Sequence, residues 1–384
     1  MSRRATRDTK TPPLPQRAGI DPVAFTLPND PGAALDIAGS AHPNQPVRTV
    51  ADFLVARFYP HNPRIITDRL ERGEIRTDNG RILTGDSPYV PGLTIWYYRE
   101  LPEEPQLPDD LPVLYEDEHV LAVDKPHFLP TTPRGAFVAQ TALTKLRVRE
   151  GNPLLVPVHR LDSGAGQAAA MRLIRRFSDE VATAGVLLFA KTVPARGLFQ
   201  TMFARREVFK EYLAVARPIP NPQARAAALS GELTVRTRIE KIRGELQVRQ
   251  WDQPSCEREL LSPNATTGVR ILTVFDAPGA HHTADTPQHT GTIVHPAPGC
   301  PVTGGQLALY RLRPRTGKTH QLRAHLHLLG APIAGDVLYP KVLPPADAPE
   351  LPLQLVAHRL EFEHPVTGEQ VRLRSMRKLA LLPS

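Results

Sequence analysis

Three short runs hold the residues with the most chemistry to offer. They are Val158-His159-Arg160-Leu161-Asp162, Lys210-Glu211-Tyr212, and Arg315-Thr316-Gly317-Lys318-Thr319-His320-Gln321-Leu322-Arg323. An aspartate such as Asp162 can act as nucleophile or base, and can stabilise positive charge developing next to it. Lys318, Thr319 and His320 stand where a helix is expected to open, a place that suits phosphate through free N–H groups and a cation. Each run also has a plainer reading. Taken alone, Asp162 is a loop-capping residue, Tyr212 a core tyrosine, and Arg323 a phosphate contact or surface ion pair. Other chemistries are poorly served, because the chain has no Gly-x-Ser-x-Gly elbow, no His-Glu-x-x-His and no Walker-type glycine loop.

Composition narrows the partner. The chain has 384 residues, a formal charge of +8 and 41 prolines. A basic chain favours an anionic partner, nucleic acid above all. Two cysteines, Cys256 and Cys300, are too few for a disulfide framework and fit a reducing compartment. No apolar run approaches the ~20 residues of a membrane span, and Arg3-Arg4 leads into no apolar segment. A cytoplasmic protein that does not meet a membrane, working as a monomer, is expected. His281, His282, His289 and His295 lie between the cysteines without the tight paired spacing that zinc needs, so no metal site is expected.

The elements that must position these residues can be sketched from periodicity. Residues 1–48 lack sustained periodicity and read as a disordered arm, rich in proline and basic at its tip. Residues 49–107 read as a small α+β unit. Thr49 caps a helix through Val50, Phe53, Leu54 and Phe58, and a second helix runs from Pro63 to a C-cap near Gly73. The acidic run Leu101 to Leu111 reads as a linker. From 108 to 384 short strands alternate irregularly with helices, which favours an α+β domain with a mixed, largely antiparallel central sheet flanked by helices and loops. Strands are expected at 113–115, 120–124, 186–190, 212–216 and 308–312, with 186–190 buried and central. Helices are expected at 139–149, 194–206 and 319–329. Residues 276–303, rich in Pro, Gly, His and Thr, read as a long loop or insertion.

Four blocks in order resemble the RluA-type RNA pseudouridine synthases. The first is Leu114-Tyr115-Glu116-Asp117-Glu118-His119-Val120-Leu121-Ala122-Val123-Asp124-Lys125-Pro126. The second is His159-Arg160-Leu161-Asp162, followed by Thr183-Ala184-Gly185-Val186-Leu187-Leu188-Phe189-Ala190-Lys191. The third is Lys210-Glu211-Tyr212-Leu213-Ala214. The fourth runs from Arg315 through Gln321-Leu322-Arg323 to Gly335-Asp336-Val337-Leu338-Tyr339, and Ala357-His358-Arg359-Leu360 fits the family's tail. The resemblance implies the pseudouridine synthase fold and the isomerisation of uridine to pseudouridine in structured RNA, more readily ribosomal RNA than transfer RNA, with no cofactor. It implies that Asp162 is the nucleophile and that Arg160 works in the gap the flipped base leaves. It further implies that Tyr212 stacks on the base, that Leu322 packs near it, and that Arg323 pairs with Asp162. The 49–107 unit resembles an S4 RNA-binding domain, whose second helix carries basic residues; here Arg64, Arg69 and Arg72 fall there.

One feature departs from the family. Two residues normally separate the aspartate from the Thr-Ala-Gly block, whereas here Ser163 to Ala182 intervene. Ala168 to Phe177 suits an amphipathic helix with Arg172, Arg175 and Arg176 on one side. The insertion either grips RNA through these arginines, or is a neutral excursion that loop-closure entropy tolerates, or displaces Asp162 and leaves an RNA-binding protein with weakened or no activity.

Overall fold

The computed structural model describes residues 12–37, 47–98, 101, 103–133, 137–159, 161, 183–242, 244–251, 262–277, 305–343 and 351–383. Arg160, Asp162, the insertion 163–182 with its three arginines, and nearly all of 276–303 lie outside them. The chain divides into two compact units, 1–103 and 104–384.

In the first unit β1 (Val23–Thr26), α1 (Pro31–Ile37), α2 (Val50–Phe58), α3 (Arg64–Glu71), β2 (Arg76–Thr77) and β3 (Thr94–Tyr97) follow in order. The strands form a sheet β1-β3-β2, antiparallel throughout. Thr49 caps α2 as expected, in a reciprocal box: its hydroxyl accepts from Asp52 N–H while Asp52 accepts from Thr49 N–H at 2.8 Å. Gly73 follows α3 in the left-handed region, φ +66°. The expected disordered arm is corrected over 12–37. Val23, Phe25 and Leu27 alternate with polar or small residues, β1 pairs with β3, and Leu27 and Leu35 are buried with Phe53 and Ile95. That apolar surface, once covered, offsets the chain entropy of ordering the segment.

The second unit comprises β4 (Val113–Glu116), β5 (Val120–Lys125), α4 (Ala142–Arg149), β6 (Val156–Pro157), β7 (Ala184–Ala190), α5 (Val193–Arg205) and β8 (Val208–Ala216). It continues with α6 (Pro222–Ser230), β9 (Leu233–Glu240), β10 (Arg249–Trp251), β11 (Ala265–Asp276), β12 (Gln306–Pro314), α7 (Gln321–Leu328), β13 (Leu355–Glu363) and β14 (Gln370–Arg374). Among the described residues these strands form one sheet in the order β10-β9-β11-β12-β8-β13-β7-β5-β4, with β14 beside β13 and β6 beside β7. Every pairing is antiparallel except that of β13 with β7. The fold is therefore α+β with a mixed, mostly antiparallel sheet, as the sequence led us to expect. The acidic run before β4 is more than a linker. Glu104 accepts three backbone N–H groups, from Val138, Ala139 and Gln140, at 2.8–2.9 Å.

Alternation along the central strands feeds two cores. Leu121, Val123, Leu187 and Phe189 pack with Leu143 and Leu146 of α4 and Leu326 of α7. Val120, Ala122, Val186 and Leu188 pack with Phe199 and Met202 of α5. Every residue of β7 is buried, which is why that segment is apolar without a period of two. Gly185 is fixed by backbone approach. Its φ is +112°, and a Cβ there would lie 2.2 Å from the Ala357 carbonyl oxygen on β13. Gly185→Ala should therefore destabilise the protein by about 3 kcal/mol or more, read from the shift of a urea-unfolding midpoint. A midpoint within error of wild type would remove this close approach from the account.

Candidate active site

A cleft of about 940 Å³ opens between the segment after β6, the helix α5, the strand β8 and the turn that leads into α7. Leu161, which precedes Asp162 in the chain, lines it. So do Tyr212, Lys318, His320, Leu322 and Arg323. Leu161, Tyr212, Lys318, His320, Leu322 and Arg323 therefore meet in one place, though they span more than 150 positions of sequence.

Each wall is held by identifiable bonds. The start of the His159-Arg160-Leu161-Asp162 run is fastened to β7 through both backbone polar groups of Leu188. Val158 N–H donates to the Leu188 carbonyl at 3.1 Å, and Leu188 N–H donates to His159 Nε2 at 3.2 Å. The imidazole thus accepts at Nε2, and its face stacks on Phe203 of α5 at 4.6 Å. Tyr212 stands on β8 opposite Leu312 of β12 and Ala357 of β13, and the residue is 9% exposed. A strand flanked on both sides leaves that ring little freedom.

The opposite wall depends on two side chains that sequence reasoning did not single out. Gln321 accepts from Thr316 Oγ1 and Lys318 N–H, and donates to the Thr266 carbonyl and Thr267 Oγ1, so it ties the turn to β11. Asp336 is the second. It takes both Nε and Nη2 of Arg323, at 2.8 and 2.5 Å, and both residues are at most 2% exposed. Its Oδ1 also accepts from Leu338 N–H and Tyr339 N–H. The position offered a clue, since an Asp after the tight-turning Gly335 is a common turn residue.

Two residues expected to contact RNA are buried. His320 was expected to make such a contact at the helix start, beside Lys318 and Thr319. It is 1% exposed in the left-handed region, φ +53°, with Nδ1 3.2 Å from Tyr339 Oη, so it braces the turn from inside. Lys318 remains exposed at the cleft. In the first unit, Arg69 was expected on an RNA-facing surface. It is 6% exposed, with Nη1 donating to the Tyr98 carbonyl at 2.9 Å, because the apolar stripe of α3 turns that position inward. Arg64 is exposed, and Arg72 is bound to Glu74.

Cations surround the cleft beyond those anticipated. Lys210 shares the cleft side of β8 with Tyr212, and Arg196 and Arg206 line the same wall. Burial, then the nearby charge of Arg206, pulls the Lys210 ammonium below the usual lysine range. Below the turn, His325 of α7 bonds Thr237 of β9 and Thr267 of β11, each at 2.8 Å. Burial pushes its pKa down to about 4. The described residues hold no cluster of side chains suited to a metal ion, and no described helix is long and apolar enough to cross a membrane.

A family model described as RNA pseudouridylate synthase matches residues 180–328. An uncharacterised RNA pseudouridine synthase of Synechocystis is 27% identical over 75% of this chain and 78% of its own. The ribosomal large subunit pseudouridine synthase D of Xanthomonas campestris is 29% identical over 69% and 66%. The dual-specificity RNA pseudouridine synthase RluA of Salmonella typhi is 27% identical over 70% and 93%. Among solved structures, human RNA pseudouridylate synthase domain containing 1 superposes with a TM-score of 0.47 at 22% identity, covering 72% of this chain and 86% of that one.

Two outcomes test this architecture. Asp336→Ala leaves a buried guanidinium without its carboxylate and should cost about 3–5 kcal/mol in chemical denaturation; a loss below about 1 kcal/mol would show that Arg323 finds another partner. His325 has a folded pKa below its unfolded one, so the unfolded chain binds more protons between about pH 6.5 and 4. Its contribution is fully present above pH 6.5 and lost as pH falls toward 4, about 3 kcal/mol in all. Unfolding free energy measured across that window should have a shallower slope in His325→Gln, and an unaltered slope would contradict this assignment.

Proposed function

We propose, from the premise that the chain is an enzyme of the RNA pseudouridine synthase family, that the cleft isomerises uridine to pseudouridine in large-subunit ribosomal RNA. The observation that carries this reading is the convergence of Leu161, Tyr212, Leu322 and Arg323 on one cleft. The reaction breaks the N1–C1′ bond, turns the base and rejoins it through C5. It needs neither a redox step nor a group donor, so no cofactor enters.

Asp162 is the nucleophile of this scheme, and it stabilises the charge that develops at C1′. The uridine leaves its stack to enter the cleft, with Arg160 in the gap. Tyr212 stacks on the base, and Leu322 closes the pocket with apolar contact. Arg323, fixed in direction by Asp336, keeps a carboxylate beside it ionised. Lys210, Arg196, Arg206 and Lys318 carry positive charge around the opening, where flanking phosphates would lie.

Ribosomal RNA is favoured because relatives from Xanthomonas and Vibrio bear the large-subunit name; a dual-specificity relative keeps transfer RNA as the second candidate. The first unit serves as an S4-like RNA-binding module. Its order of two helices, a Gly-containing turn and a closing strand supports this, as does the exposed Arg64, whereas Arg69 and Arg72 are committed within the unit.

Asp162→Ala should lower conversion by more than about a thousandfold while leaving RNA affinity close to wild type. The measurement is chemical labelling of pseudouridine in large-subunit RNA from a strain lacking the protein, treated with each purified variant. Full conversion by the variant would move the nucleophile elsewhere.

A further inference from the structure

Neighbouring residues on a strand face opposite sides of a sheet. On β8, Lys210 and Tyr212 line the cleft, so Phe209 and Glu211 face away from it. The far side is rich in arginine. Tyr310 and Leu312 enter the core on the cleft side, which places Arg311 between them on the far side. Val269 and Ile271 do the same for Arg270 on β11. The helices α6 and α7 contribute Ala228, Leu322 and Leu326 to that cleft-side core and so leave this face aside.

Two features there are unfavourable for the isolated protein. Arg270 stands directly opposite Arg311 in the β11–β12 ladder, and Arg359 directly opposite Arg374 in the β13–β14 ladder. Like charges directly opposite each other destabilise a sheet. Carboxylates answer only part of this charge. Glu211 serves both Arg311 and Arg313, at 3.8 and 2.9 Å, and Glu361 takes Arg359. Among the described residues Arg270 and Arg374 have no carboxylate partner. Two positions before Glu211 on β8, opposite Glu361, stands the exposed ring of Phe209, flanked by the guanidinium groups of Arg313 and Arg359 at 5.3 and 5.7 Å from its centroid. The charge is felt nearby. His358 is held below the usual histidine range, by burial first and then by Arg374, with Glu211 opposing and Arg359 adding.

We propose that this arginine-lined back face is a second RNA-binding surface, which grips phosphates on the side of the sheet away from the cleft. Two like-charged cross-strand pairs are costly until an anionic ligand lies over both. Guanidinium groups suit phosphate oxygens through paired N–H donors, and an aromatic ring among them can take an unstacked base. The proposal rests on the reading of the chain as an RNA-modifying enzyme, but it is separable from catalysis.

The test uses the full chain and a duplex RNA built only of guanosine and cytidine, which offers the cleft no uridine. Binding is followed by fluorescence anisotropy over a series of salt concentrations. The double variant Arg270→Gln with Arg374→Gln should bind more weakly, with a salt slope shallower by about two, since each lost phosphate contact removes about 0.9. Its thermal midpoint should stay level or rise, because the repulsion is relieved. Arg270→Lys with Arg374→Lys keeps the charge and should keep the wild-type slope. An unchanged slope in the Gln variant overturns the proposal, as does a matching loss in the Lys variant. Loss of binding to polyglutamate with RNA binding intact would assign the face to an acidic protein and also overturn it. Pseudouridine formation by the wild-type chain is scored separately, so an inactive cleft and an inert back face give different results.

Discussion

The buried pair of Arg323 and Asp336 is the constraint around which the cleft is arranged. Charges this deep lose the favourable solvation of water, and only close, directional bonds make up for it. Here the carboxylate meets two guanidinium N–H groups and two backbone N–H groups. That demand fixes the first turn of α7 against residues 336–339. Tyr339 then accepts from Val248 N–H and meets His320, which carries the constraint toward β10. An apolar pair could fill the same space, but it would not specify the direction of the guanidinium.

The sheet converts this local order into a site. β8 lies between β12 and β13, and residues from far apart in the chain complete both of its edges. The period of two then gives one strand two chemistries. Tyr212 and Lys210 face the cleft, and Phe209 and Glu211 face the arginines behind it. His159 joins the His159-Arg160-Leu161-Asp162 run to the same framework by accepting the Leu188 N–H. Geometry at the cleft is thus set by backbone ladders more than by the loops that border it.

Much of this was legible in the sequence, for reasons that can be named. Apolar runs such as 186–190 announce a strand buried on both faces, and Thr49 before an apolar period of three and four announces a helix start. The run that ends in Asp162, and the positions of Tyr212, Leu322 and Arg323, came from motif order. What the sequence hid was the burial of polar side chains. Arg69 and His320 are turned inward only by tertiary neighbours. Asp336 was read as part of a motif because its partner lies a full helix away. In the arm, the alternation of Val23, Phe25 and Leu27 covers a strand of only four residues among prolines, too short for its period to stand out. Thr237 and Thr267, which hold His325, come from strands whose pairing no local pattern encodes.

The place of β13 has a consequence for how the protein comes into being. This strand, residues 355–363, wedges between β7 and β8, which precede it by well over a hundred positions. During synthesis those earlier strands must wait with open edges until residues 355–363 have left the ribosome, and such distant pairings form slowly. A nascent chain therefore holds Tyr212 on an unfinished strand. A chain cut short before β13 would keep the runs that hold Leu161, Tyr212 and Arg323 without the finished sheet that brings them to one cleft.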